Sequence, residues 1–96
     1  MVLEILEREF REDHWLRFVE FSRIEIQSLP KEILTILDDV DLPEDIKMVV
    51  LYRKRADSRT WIYKELKAFN GKKPIELIRS ERGLKALKEG LLRMPD

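Results

Sequence analysis

The order of helix-ending and helix-starting residues between Trp61 and Met94, WIYKELKAFNGKKPIELIRSERGLKALKEGLLRM, constrains this chain more than any other stretch. Asn70-Gly71 supplies the left-handed backbone that stops a helix, and Pro74 carries the fixed φ that starts the next. Ser80 can cap a final helix whose Leu84, Leu87, Leu91 and Met94 recur at helical spacing. The chain is therefore expected to pass from an aromatic-bearing helix through a short apolar turn (Ile75, Leu77, Ile78) into a leucine-spaced helix. Gly83 and Gly90 lie seven apart on that last helix. Each costs about 1 kcal/mol relative to Ala in an exposed helix, so each is expected to admit a close neighbour, from this chain or another.

The rest of the sequence also reads as helical. Leu3, Leu6 and Phe10 recur at helical spacing, whereas Val19, Phe21, Ile24 and Ile26 alternate as a strand would. We expect helix to about residue 22 and a short extended piece after it. Ile33, Leu34, Leu37 and Val40 make one face after Pro30, and Asp41-Leu42-Pro43-Glu44 has the form of a capping box. Ile46, Val49, Val50 and Arg53 follow on the next face, with the Arg53 stem buried and its head in water. Asp57-Ser58 starts the Trp61 helix. The predicted fold is all-α, a small bundle of five to six short helices near 2–22, 30–40, 43–56, 58–69, 74–79 and 81–93. Residues 1–27 form an N-terminal helix or arm, and residues 28–96 a helical domain; a single compact domain overall is the alternative.

Ninety-six residues suffice for one modest core, and 44% apolar content argues against disorder throughout. The absence of Cys rules out disulfides and fits a cytoplasmic protein. The MVLEILERE start has no basic segment, so it does not read as a secretory signal, and no apolar run reaches the length of a membrane span. Charge is balanced at 19 basic and 19 acidic residues, but it is divided along the chain. Residues 1–50 hold 6 basic and 13 acidic side chains, and residues 51–96 hold 13 basic and 6 acidic. The halves can attract each other, within the chain or between copies, or the basic half can meet phosphate or an acidic protein. One Asn and one Gln among many charged residues is a thermophile-like composition.

Enzyme signatures are missing, and the chain reads as non-catalytic. His14 is the sole histidine, no carboxylate constellation stands out, and the three glycines are isolated rather than set in a phosphate loop. No metal or cofactor is expected. Ser28, Ser58 and Ser80 sit at predicted helix starts, where capping accounts for them. Trp15, Phe18, Phe21, Trp61 and Phe69 read as core in preference to a partner surface.

The segment from Trp61 resembles the toxin-binding domain of the MbcA/ParS/Xre antitoxins, through Trp61, Gly71, Pro74, Leu77, Ile78, Ser80 and Gly83. The match covers about a third of the chain. Leu29, Pro30, Leu42, Arg59 and Thr60 are similar to the helix-turn-helix region of the same antitoxins, although the stretch that separates the two modules in that family is missing here. The resemblance implies a partner with the RES fold, a toxin that consumes NAD, blocked sterically by a protein with no chemistry of its own. Lys72, Lys73, Arg79 and Arg82 would meet an acidic rim on such a toxin. A second reading is a regulator that binds operator DNA, with Arg53, Lys54, Arg55, Arg59 and Lys64 neutralising phosphates. A solvated basic face is the reading of those five that we prefer. A third is a structural homo-oligomer whose acidic and basic halves pair between subunits.

Overall fold

The computed structural model describes residues 2–94, and among them it is all-α with no strand. Its seven α-helices are α1 (Val2–Glu9), α2 (Glu12–Glu25), α3 (Lys31–Leu34), α4 (Glu44–Lys54), α5 (Ser58–Ile62), α6 (Pro74–Leu77) and α7 (Glu81–Arg93). Short 3-10 turns at Ile26–Ser28, Arg55–Asp57 and Lys67–Phe69 link some of them. α1 lies along α7, and α2 lies along α4. One core joins the two pairs: Leu6 of α1, Trp15 of α2, Ile46 and Val50 of α4, and Leu87 and Leu91 of α7.

The expected helix over 2–22 is broken at Phe10-Arg11, and the reason is geometric. Leu6 and Trp15 are nine residues apart, about two and a half helical turns, so a continuous helix would point them to opposite sides. The break lets both be buried, Leu6 against α7 and Trp15 at the α2–α4 junction. The extended piece expected after residue 22 is helix to Glu25 and then a 3-10 turn. Trp15, Ser22 and Ile26 are buried at helical spacing, while Phe21 and Ile24 of the apparent alternation point outward. Phe21, expected in the core, is 45% exposed, its ring flanked by Phe18 and Tyr52.

The helix expected over 30–40 stops at Leu34 and tightens. Amides of Ile36, Asp38 and Val40 donate to carbonyls three residues back, at 3.0–3.1 Å. This winding directs Leu37, Val40 and Leu42 inward. The Asp41 capping box does not form: Pro43 occupies the position before α4, with no side-chain cap bond. The carboxylate that serves this helix start is Asp45, which accepts the Ile46 amide at 2.9 Å.

The helix expected over 58–69 ends at Ile62. Leu66 then bridges to Lys72, and the 3-10 turn between them brings Phe69 back onto Trp61, with ring centroids 6.4 Å apart. On one helix those residues would be separated by about 12 Å of axial rise. Asn70 and Gly71 do supply positive φ, at 56° and 78°, but they close this turn and not a long helix. The final helix runs as expected, and Ser80 accepts the Gly83 amide at 3.0 Å. Ser28 and Ser58 donate to preceding carbonyls instead of capping.

Both glycines of α7 face close neighbours within the chain. A Cβ on Gly83 would lie 2.2 Å from the Leu77 carbonyl oxygen, and one on Gly90 would lie 2.6 Å from the Phe69 ring. Gly90→Ala is therefore predicted to push the ring aside and destabilise the fold by about 1–3 kcal/mol in a urea titration. Trp61→Ala is predicted to cost about 3–5 kcal/mol by the same measurement, as for a large core aromatic. A loss below about 1 kcal/mol would place the indole on a binding surface.

Candidate partner-binding site

The segment 64–73 is built from Lys64, Lys67, Lys72 and Lys73 around one acid, Glu65. The Leu66 amide donates to the Lys72 carbonyl at 3.2 Å, and the Gly71 amide returns to the Leu66 carbonyl at 2.8 Å. Those bonds close the loop, and buried Phe69 fixes it to Trp61 and to the Gly90 gap in α7. Pro74 then starts α6, where Glu76 accepts the Lys73 amide at 3.1 Å. A lysine ammonium has no lone pair, so Glu76 supplies this N-terminal bond alone. A loop held at its base in this way keeps the backbone positions of its lysines in fixed relation to one another.

Two cavities flank it. One, of about 370 Å³ between α1 and α6–α7, is lined by Glu4, Glu7, Lys72, Glu76, Ser80 and Arg82 among others. The second, of about 410 Å³, is almost wholly apolar: Leu6, Trp61, Leu66, Phe69 and Met94 form its walls, and Lys67 and Arg93 are the charged lining residues among those described. Arg93 is held by Glu89 at 2.7 Å.

The four residues expected to meet a toxin occupy distinct settings. Lys72 and Arg79 are exposed, and Lys73 is half-buried, none with an ion-pair partner among the described residues. Arg82 is exposed but engaged, its Nε 3.0 Å from Glu7 of α1, and that carboxylate holds its pKa above the ordinary arginine value. The residues that carry the antitoxin resemblance lie within the loop or in the elements next to it. Trp61, Pro74 and Leu77 are buried, Gly71 closes the turn, Ser80 caps α7, and Gly83 admits the Leu77 carbonyl.

The five residues considered for DNA do not share one face. Arg53 donates to the Leu91 and Leu92 carbonyls of α7, at 3.0 and 3.2 Å, with its guanidinium 4.5 Å from the Phe18 ring centroid. It is thus a cap on the C-terminal end of α7, where a cation complements both free carbonyls and the helix dipole. Lys54 lies over the Trp61 ring at 5.6 Å. Arg59 forms a two-pronged pair with Asp39, with Nη2 to Oδ2 at 3.0 Å, and also reaches the Ile36 carbonyl. Arg55 and Lys64 remain exposed. α5, which would have to enter a groove, has five residues, and Ser58, Trp61 and Ile62 of these are buried.

Among the described residues, three ion pairs join the acidic and basic halves of the chain: Arg82–Glu7, Arg59–Asp39 and Lys88–Asp45. The charge division is thus satisfied in part within one molecule. Asp45 was not singled out by the sequence, because no local pattern marks a carboxylate whose partners, the Trp15 indole and the Lys88 ammonium, are 30 and 43 residues away. No group of residues able to hold a metal occurs among the described residues. No helix among them is long and apolar enough to cross a membrane.

The Arg59 hydrogen bonds hold the Asp39 carboxyl below the usual aspartate range, and Asp39 in turn raises Arg59. The depressed value means that Asp39 contributes stability above its unfolded pKa and loses it as pH falls through the folded one. Carboxyl-detected NMR is predicted to show the Asp39 midpoint below that of an unpaired aspartate, and Arg59→Gln to return it to the ordinary range. An unchanged midpoint in Arg59→Gln would show that the pair does not persist in solution. Comparisons of this chain with known protein families, with curated proteins and with solved structures give no match.

Proposed function

We propose that the protein is a non-catalytic, antitoxin-like binding module that blocks a RES-fold, NAD-consuming toxin sterically. The observation that carries this reading is the bridge-closed lysine loop, set beside an apolar groove and anchored to the core through Phe69. Protein interfaces draw affinity from apolar anchors in pockets and draw association rate and specificity from complementary charge. Lys67 and Lys72 offer the charge with no ion-pair partner among the described residues, and the Trp61–Phe69–Met94 groove offers the pocket. The residues that carry the antitoxin resemblance are those that build and brace this loop, which supports placing the interface here. Lys73 and Arg79 extend the cationic surface toward α6 and α7. Arg82 contributes less than its charge suggests, because Glu7 already neutralises it.

The operator-DNA reading has weaker support. Arg53 and Arg59 are engaged within the fold, and α5 is shorter than a helix that reads the major groove needs to be. Any duplex binding by the remaining cations is expected to be weak, independent of sequence and lost steeply with salt.

The deciding experiment is co-expression with a RES-fold toxin and recovery of the complex. Lys67→Glu/Lys72→Glu is predicted to keep wild-type circular dichroism and melting, since both side chains are exposed. The same variant is predicted to lose the complex or recover it poorly, mainly through slower association. Recovery equal to wild type would remove the loop as the interface.

A further inference from the structure

The apolar groove beside the lysine loop has walls from four parts of the chain: Leu6 of α1, Trp61 of α5, Leu66 and Phe69 of the loop, and Met94 just after α7. Its volume, about 410 Å³, lies within the range of about 300–1,000 Å³ typical of sites that take a bound group. Trp61 and Phe69 offer ring surface, and Met94 offers a thioether that adapts to the shape laid against it. These are surfaces that accept one or two large apolar side chains. Phe69 is fully buried and packed against Trp61 and Gly90, so the groove is part of the fold and does not have to be opened.

The charges around the groove say what suits it. Lys67 and Arg93 line it from separate elements, the loop and the end of α7. Lys67 is exposed, with no ion-pair partner among the described residues. Arg93 gives its Nε to Glu89 at 2.7 Å, which offsets part of its charge but uses one of its five N–H donors. Lys64 and Lys72 continue the positive charge along the loop. A fatty acid, or any amphiphile with a single anionic head, answers one of these cations. A peptide segment answers both when acidic residues stand on either side of a bulky apolar one. The cavity on the loop's other side sets Glu4, Glu7 and Glu76 against Lys72 and Arg82, an acidic balance that disfavours the same segment there.

We propose that the groove recognises an acidic peptide segment of its partner: a leucine or aromatic side chain enters between Trp61, Phe69 and Met94, and flanking carboxylates meet Lys67 and Arg93. This specificity rests on the reading of the loop face as a protein interface, and adds which part of a partner fits it. The apolar side chain supplies the affinity, and the carboxylates select the segment and speed its approach. A short segment alone buries much less than a standard interface, so its own binding is weak, in the millimolar range. The contact is weakened by salt, because the cations stand in water.

An NMR titration of the whole, isotope-labelled protein tests this without any toxin. The probe is the acetylated and amidated hexapeptide Asp-Glu-Leu-Phe-Glu-Asp. It is expected to shift the Trp61 indole and the amides of Leu66, Lys67, Phe69 and Gly90, and to leave the Trp15 indole in place. Replacing its Leu-Phe by Ser-Ser, or its four acids by Lys, is expected to weaken binding by about tenfold or more. Lys67→Glu in the protein is expected to weaken the original peptide several-fold. The peptide replacements leave the protein unchanged, so the result does not depend on how a variant folds. The proposal is overturned if the acidic peptide produces no shifts at millimolar concentration, or if the lysine peptide binds as well. It is overturned equally if sodium decanoate binds more tightly than the peptide and displaces it, which would assign the groove to an anionic amphiphile. A toxin complex that forms although the peptide does not bind overturns this inference alone. Peptide binding without a toxin complex supports it and removes the toxin.

Discussion

The rest of the fold depends on how the Trp15 indole is satisfied. The side chain is fully buried, and its Nε1–H donates to Asp45 Oδ2 at 2.9 Å. The other oxygen of Asp45 accepts the Ile46 amide in the first turn of α4, and Lys88 of α7 stands 3.7 Å from Oδ2. The Lys88 ammonium also lies 5.6 Å from the Trp15 ring centroid and 5.7 Å from that of Phe10. A buried indole N–H without an acceptor would cost about 1–3 kcal/mol, and an Asp carboxylate so placed without a cation would cost more. Here one carboxylate answers the indole, the helix start and the lysine, so α2, α4 and α7 are fixed by one mutually dependent group. α1 adds to it through Phe10, just beyond its end.

Arg53 does for the far end of α7 what Asp45 does for the middle. Its guanidinium closes the Leu91 and Leu92 carbonyls while its face rests on Phe18, so α4 and α2 together hold the end of the last helix. Two of the charges that make the chain look divided into acidic and basic halves are therefore structural. The halves meet through named pairs of unequal consequence. Arg82–Glu7 and Arg59–Asp39 lie on the surface and contribute modestly, whereas the Lys88–Asp45 side chains are mostly buried and tied to Trp15. Net charge by segment allowed the halves to attract each other or to meet an outside partner. It could not show which pairs form, because that depends on how α1 and α4 are laid against α7.

The legibility of the sequence follows the range of the interaction that decides each element. α7 and its Ser80 cap were readable, because a hydroxyl three residues before an amide and leucines at helical spacing are local signals. The positive φ of Asn70-Gly71 was readable for the same reason. The breaks at Phe10-Arg11, after Leu34 and after Ile62 were not, because each is made by contacts from elsewhere: Leu6 with α7, Leu37 with the core, Phe69 with Trp61. The capping box at Asp41 failed although its pattern was right. Pro43 took the cap position and Asp45 was drawn to the Trp15 indole 30 residues away. The candidate loop was divided by the sequence into two sets, Lys64 with one partner class and Lys72 and Lys73 with another. Only the Leu66–Lys72 bridge unites them.

The glycines of α7 connect that core to the loop. Gly83 leaves room for the Leu77 carbonyl, which brings the end of α6 down onto α7, and Gly90 leaves room for the Phe69 ring. A side chain at either position would lift one support of the 64–73 loop while leaving its lysines untouched. The seven-residue spacing sets both supports on one face of α7, about 10 Å apart along its axis. One rigid helix thus fixes the loop from below and α6 beside it, and Trp15 and Arg53 fix that helix in turn. The loop therefore presents a preformed backbone from which its lysines extend. A partner that docks on it does not have to order the backbone first, which is a cost that otherwise comes out of the binding free energy.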